Sequence, residues 1–295
     1  MTAPALATRR TDRACFDPGT ARQLDEFRDR LRHVRIALCD MDDTLLDGRK
    51  RFPRRTEQAV RRWLDAGYEL ILATGRPPRR AREVSEWLNL RPMICYNGCW
   101  IEHRRHVQYR RQMSRETTQA VIRCLLDACP DLWMGIESHD VLYAAQPQDR
   151  WPHAILCDPL DLDVEAAKVF CRFSHLTEAQ MQTVRLTAPP GTRLMESAKY
   201  NLLQFMDQAA DKAVAAAWWL DQNGLDMGNC IALGDDTNDV RLLSEAAIGI
   251  AMSDAVPDAV TASDITVRNS ESEGVAIALT TILELAGPAR CPTAR

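Results

Sequence analysis

The sequence predicts an α/β protein: a doubly wound, mainly parallel sheet interrupted by an inserted α+β domain. Three observations carry this. Short, almost wholly apolar segments alternate with amphipathic helical ones in the first third of the chain, and the same rhythm returns in the last third. Between them, residues 112–198 alternate apolar and polar positions instead. Strands that are apolar throughout belong to parallel sheets covered by helices on both faces, whereas alternation marks an antiparallel sheet with one face covered.

Taken in order, a helix is expected around 19–32. HVRIALCD (33–40), YELILATG (68–75) and PMICYNG (92–98) read as buried strands. FPRRTEQAVRRWLDAG lies between the first two, with Pro53 at a first helical turn and Gly67 as a stop; PPRRAREVSEWLNL (77–90) opens the same way. In the middle, helices at 115–128 and 177–185 accompany strand-like DLWMGIES, DVLYAAQ and AAKVFCRF. The C-terminal third reads as a helix at 211–223, NCIALGD (229–235), a helix from 238, IGIAM (248–252), a helix near 256–262, DITV (264–267) and a last helix from about 273. The implied organisation is an extension at 1–33, a core in two parts, 34–111 and 199–295, and an insert at 112–198.

Composition narrows the function classes. The chain has 295 residues, 46% hydrophobic and 26% charged, with 37 basic and 41 acidic groups and a net charge of −4. That balance gives no general attraction for nucleic acid or an acidic membrane. No apolar run approaches the roughly 20 residues that cross a bilayer. The N-terminal MTAPALATRRTDRACF lacks the apolar centre of a secretory signal and reads as a mobile tail. Ten cysteines occur without a CxxC pair or a histidine cluster at zinc-site spacing, so they read as reduced thiols in a cytoplasmic setting. Only four of the basic residues are lysines, namely Lys50, Lys168, Lys199 and Lys212. Each therefore raises the question of whether a compact ammonium was needed there.

In a doubly wound, Rossmann-like sheet, reactive groups collect at the carboxyl ends of the strands. The first strand ends in Asp40-Met41-Asp42-Asp43-Thr44, the second in Thr74-Gly75-Arg76, and a late one in Gly234-Asp235-Asp236-Thr237-Asn238-Asp239. Lys212 opens the helix before that last strand. Carboxylates so close repel one another unless a cation offsets them, and an all-oxygen shell suits Mg²⁺. The same cation lets an anionic nucleophile approach a phosphate ester. Asp40 is the candidate nucleophile, forming an acyl-phosphate. Asp42, two residues on, is placed to protonate the leaving oxygen and later activate water. Lys212 would offset charge on Asp40 and the phosphoryl group, and Thr74 with the N–H of Gly75 would hold phosphate oxygens.

These residues resemble the haloacid dehalogenase superfamily of phosphohydrolases, in its Cof-type branch. DMDDTLL (40–46), LATGR (72–76), Lys212 and GDDTND (234–239) match its four motifs in order, and the resemblance covers about 34–285. It implies that Asp40 is the nucleophile and Asp42 the acid/base. Magnesium would be held by Asp40, the backbone carbonyl of Asp42, Asp235 and Asp239. Thr74 and Asn238 would position the phosphate, Lys212 would bridge to Asp40, and the insert would be an α+β cap that selects the leaving group. Asp43 stands where the branch usually has Gly and Asp236 where Ser is commoner; both add negative charge, either could point to solvent, and the sequence assigns neither a role. The basic loop DGRKRFPRR (47–55) reads as a solvated run, with Arg49 and Lys50 as alternative contacts to an anionic substrate. Asn97-Gly98 reads equally as turn chemistry or as a substrate contact, and Lys168 and Lys199 are the lysines of the insert that could reach a substrate. The function expected is hydrolysis of a small phosphorylated metabolite, with a phosphomutase or a non-catalytic binding protein on the same scaffold as alternatives.

Overall fold

The computed structural model describes residues 17–287. The tail reading for the first 16 residues, and Cys15 and Cys291, lie outside the described residues. The helix expected at 19–32 is two: α1 (Pro18–Asp25), capped by Asp17, and α2 (Arg28–Leu31), separated where Phe27 leaves helical geometry at φ −104° and ψ 16°. The strands follow their apolar runs but are shorter: β1 (Ile36–Cys39), β2 (Glu69–Ala73) and β3 (Met93–Cys95). Between the first two runs α3 (Arg54–Asp65), with Pro53 as its N-cap; between the next two runs α4 (Pro78–Leu88).

After β3 comes a hairpin that the sequence did not announce, β4 (Trp100–His103) and β5 (His106–Arg110). Its turn is made by Arg104 and Arg105, at φ 51° and 67°. Left-handed turn positions normally advertise themselves as Asn or Gly, and two arginines hide this one. The middle of the chain then gives α5 (Arg115–Ala128), capped by Ser114, followed by β6 (Gly135–Ser138), β7 (Val141–Ala144), β8 (Ile155–Leu156) and β9 (Lys168–Cys171). Next are α6 (Glu178–Thr187), closed by a Thr177/Gln180 capping box, β10 (Thr192–Ser197) and β11 (Leu202–Asp207). The chain finishes with α7 (Lys212–Asp221), β12 (Cys230–Gly234), α8 (Val240–Glu245), β13 (Ile248–Met252), α9 (Pro257–Ala262), β14 (Ile265–Val267) and α10 (Gly274–Ala286).

Two compact units form. The first runs to Thr74, takes in Val84–Arg91 and resumes at Ala216; the second holds Gly75–Glu83 and Pro92–Ala215. In the first unit the strand order β14-β13-β12-β1-β2 is parallel throughout. Every residue of β1, β12 and β13 is buried, as a sheet covered on both faces requires.

The second unit contains the antiparallel run β3-β4-β5 and a six-stranded sheet of order β10-β11-β9-β6-β7-β8, antiparallel except for the β7–β8 pair. Alternation assigns its faces. Val169 and Cys171 pack with Val121, Ile122, Met181 and Val184 of α5 and α6, whereas Phe170 joins Trp133 and Leu142 in a separate cluster. The protein is thus α/β, a Rossmann-like parallel sheet accompanied by an α+β unit. No helix among the described residues is long and apolar enough to cross a membrane.

Candidate active site

Parallel pairing determines which carboxylates meet. β1 lies between β12 and β2, with Cys39 level with Leu233 and Leu72. The Asp40 N–H continues the ladder by donating to the Leu233 carbonyl at 2.9 Å. Asp40, Asp235 and Thr74, each the first residue past its strand, therefore emerge at one edge of the sheet, and all three are buried.

Asp239 arrives from the short 3₁₀ turn Thr237–Asp239. Its Oδ2 accepts the N–H groups of Asp235 at 3.1 Å and Asp236 at 3.2 Å. Gly234 makes room for it, since a Cβ there would stand 2.5 Å from the Asp239 Cβ and Cγ. Thr44, the hydroxyl that closes the first acidic run, donates to Asp235 Oδ1 at 2.7 Å. One carboxylate oxygen from each of Asp40, Asp235 and Asp239 lies within 4.8 Å of the others.

That cluster fits a hard divalent cation. Three buried carboxylates at this spacing repel, and a cation that binds oxygen offsets their charge. The donor set contains no sulfur or imidazole, which suits Mg²⁺ over softer metals. The carboxylate of Asp42 is not part of the group. It is half-buried and ion-paired with Lys50, Nζ to Oδ1 3.1 Å.

Both additional acids have partners. Asp236 does not face solvent: it is buried, and its Oδ1 accepts the Thr237 N–H at 2.8 Å as the cap of the 3₁₀ turn. Asp43 is not free either, because Lys50 donates to its Oδ1 at 2.9 Å. The position of Asp43 in the left-handed region, φ 61°, gives the physical reason why a Gly would suit that place. The loop 47–55 is likewise more than a solvated run, since Lys50 reaches both carboxylates and Arg51 pairs with Asp47 at 2.8 Å. Asn238 is half-buried in the 3₁₀ turn beside Asp239.

Gly75 and Lys212 are described with the second unit. Lys212 is the first residue of α7 and is 1% exposed. Asp211 before it is the cap of that helix, with Oδ1 accepting the Ala213 N–H at 2.8 Å and Oδ2 paired with Arg193 at 2.8 Å. Asn97-Gly98 is a turn, with Gly98 at φ +97°; it also packs so closely on the Asp211 carbonyl that a Cβ would stand 2.1 Å from its oxygen. Lys168 is buried and donates to the Gly75 carbonyl at 3.0 Å and to Gln204 Oε1 at 3.3 Å, a structural role that its sequence context did not indicate. Lys199 is exposed, its ammonium 5.9 Å from the Tyr200 ring. Sequence reasoning assigned no role to Thr44, although its place at the end of the acidic run was the available signal.

Comparison with known proteins bears on the family of the chain. Residues 37–279 match the family model of the haloacid dehalogenase-like hydrolases. The putative phosphatase YkrA of Bacillus subtilis is 22% identical over 259 residues, covering 83% of this chain and 96% of that protein. A phosphoglycolate phosphatase of Pyrobaculum neutrophilum is 27% identical over 253 residues, covering 84% and 96%. Among solved structures, the subclass IIB sugar phosphatase BT4131 superposes with a TM-score of 0.73 at 18% identity, covering 83% of this chain and 98% of that one. The chain belongs to the haloacid dehalogenase-like hydrolases and is an enzyme of the phosphatase kind.

Proposed function

We propose that the protein is a Mg²⁺-dependent phosphatase that hydrolyses a small phosphomonoester, a sugar phosphate or related metabolite, through a phosphoaspartate at Asp40. The observation that carries this is the buried trio Asp40, Asp235 and Asp239 at the carboxyl edge of a parallel sheet. Those residues, with the Asp42 backbone carbonyl, would hold Mg²⁺, which when bound supplies charge neutralisation for the approach of two anions. Asp40 attacks phosphorus as the ester P–O bond breaks, and Asp42 gives its proton to the departing oxygen. Asp42 then takes a proton from water as that water attacks phosphorus and the bond to Asp40 breaks, releasing phosphate and restoring both carboxyl groups. Thr74, the Gly75 N–H and Asn238 are the proposed phosphate contacts, and Lys212 is the cation assigned to Asp40.

The segment 112–198 is proposed as the cap that selects the leaving group, on a core of 34–111 and 199–295. The substrate class rests on the small phosphorylated molecules named for its relatives. A reducing, cytoplasmic setting is the reading of the cysteines, and none of the eight described ones is in a disulfide. The test is phosphate release from a panel of small monoesters with Mg²⁺, comparing wild type with Asp40→Asn. Release that the variant loses, and that Ca²⁺ supports poorly, is the expected result. An isomerised product without free phosphate would replace this reading with a phosphomutase, and release unaffected by Asp40→Asn would overturn it.

A further inference from the structure

Two residues beside the proposed acid/base occupy backbone positions where glycine would be unstrained. Asp43 sits at φ 61° and Lys50 at φ 60°. Left-handed geometry disfavours residues with a Cβ, Asp being among the more tolerant and Lys having no such tolerance. The two side chains meet: Lys50 Nζ lies 2.9 Å from Asp43 Oδ1 and 3.1 Å from Asp42 Oδ1.

The loop that presents Lys50 is fastened independently. Asp47 N–H donates to the Arg51 carbonyl at 2.9 Å, and Lys50 N–H donates to the Asp47 carbonyl at 2.7 Å. The Asp47 carboxylate is buried and accepts the N–H groups of Arg49 at 3.0 Å and Arg51 at 2.8 Å, as well as the Arg51 guanidinium. This is a closed hairpin turn with Lys50 at its left-handed position. A lysine otherwise ranges through many rotamers; here the backbone is fixed at one end and two carboxylates hold the ammonium at the other.

We propose that Lys50, steadied by Asp43, is a positioning residue for Asp42. The ammonium occupies Oδ1 and sets the plane of the carboxyl group, so that Oδ2 is the oxygen that delivers a proton to the leaving group. The proposal rests on the phosphatase reading above, in which Asp42 is the acid. A positioned acid matters in proportion to how badly the leaving group needs a proton. Alkoxides and phenoxide need one, whereas dinitrophenolate departs without it. General acid catalysis is worth roughly a hundredfold or more where it operates, so a displaced Asp42 forfeits part of that factor on poor leaving groups alone.

The experiment measures kcat/KM, which reports the steps up to departure of the leaving group, for a series of aryl phosphates from phenyl to dinitrophenyl. Wild type, Lys50→Met, Lys50→Arg, Asp43→Gly and Asp42→Asn are compared, with Asp40→Asn as control. Lys50→Met is expected to lose about tenfold or more on phenyl phosphate and little on dinitrophenyl phosphate. Lys50→Arg should recover most of that loss, and Asp43→Gly should shift selectivity the same way by a smaller factor. A uniform loss across the series, or none, overturns the role of Lys50 while leaving the phosphatase reading intact. If Asp42→Asn itself leaves the leaving-group dependence unchanged, Asp42 is not the acid; if Asp40→Asn retains release, or wild type has none, the phosphatase reading fails and the inference with it.

Discussion

Thr44 offers the sharpest test of the carboxylate cluster, because it touches one of the proposed metal ligands without being one. Its hydroxyl donates to Asp235 Oδ1 at 2.7 Å, and both residues are 1% exposed. A hydrogen bond to a charged acceptor contributes about 1.5–3 kcal/mol. Part of that is present with and without metal and cancels from the binding equilibrium. What does not cancel is orientation: without the hydroxyl, the Asp235 carboxylate turns more freely and must be ordered when the cation binds. Removing outer partners of metal ligands typically weakens affinity by about 10–100-fold, or ~1.4–2.7 kcal/mol, within the range of the hydrogen bond itself. Thr44→Val preserves shape and deletes the donor, so the Mg²⁺ concentration for half-maximal phosphate release should rise by about 10–100-fold, with activity at saturating Mg²⁺ much less affected. Thr44→Ser, which keeps the hydroxyl, should restore the wild-type requirement. An unchanged Mg²⁺ dependence in Thr44→Val, or a serine variant that behaves like valine, would refute the role of this bond in setting the ligand geometry.

Two further perturbations probe the supporting structure. Glu137 is buried and accepts two bonds from Arg79, both 2.8 Å, and one from the Tyr96 hydroxyl at 3.0 Å; burial foremost, with Glu137 beside it, pushes the Tyr96 phenol well up, so it stays protonated as a donor. Arg79→Met or Glu137→Gln alone should cost about 3–5 kcal/mol in urea unfolding, while Arg79→Met with Glu137→Met should cost less than either; simple additivity would contradict this. At Asp47, partial desolvation raises the carboxyl pKa, but the Arg51 backbone N–H, the Arg51 side chain and the Arg49 N–H together outweigh it and hold the value below the ordinary 3.8. A depressed folded-state pKa contributes stability that is present above the unfolded value and is lost as pH falls through the folded one. The thermal-stability gap between wild type and Asp47→Asn should therefore be constant near neutrality and close below about pH 4; a gap that persists in acid would refute the assignment.

What the sequence disclosed follows a physical division. Buried parallel strands need continuous apolar residues, so β2, β12 and β13 were legible within a residue or two and β1 within three. The β4–β5 hairpin was not, because its turn carries Arg104 and Arg105 at positive φ in place of a turn signal. Strands β10 and β11 also went unread: Arg193, Glu196 and Gln204 interrupt their apolar runs, and β11 takes its second partner, β9, from before α6. In the site the same division holds. Carboxylates at strand ends announce chemistry, so Asp40, Asp235 and Asp239 could be named before the register of β1 on β12 brought them together.

The residues that hold those groups in place carry weaker sequence signals because their effect depends on backbone geometry. Gly234 matters only because Asp239 folds back over it, and Thr44 only because its hydroxyl meets Asp235 across 191 positions of chain. Asp43 and Asp236 looked like surplus charge, yet one holds Lys50 and the other caps the 3₁₀ turn that delivers Asp239. A site with this many acids is viable because most of them already have another occupation: Asp239 receives two backbone N–H groups, Asp236 a third, and Asp42 and Asp43 share an ammonium. Local negative charge in this fold is therefore distributed between binding a cation and fixing the backbone that presents it, and substitutions at the second kind of acid should alter catalysis through geometry, not charge.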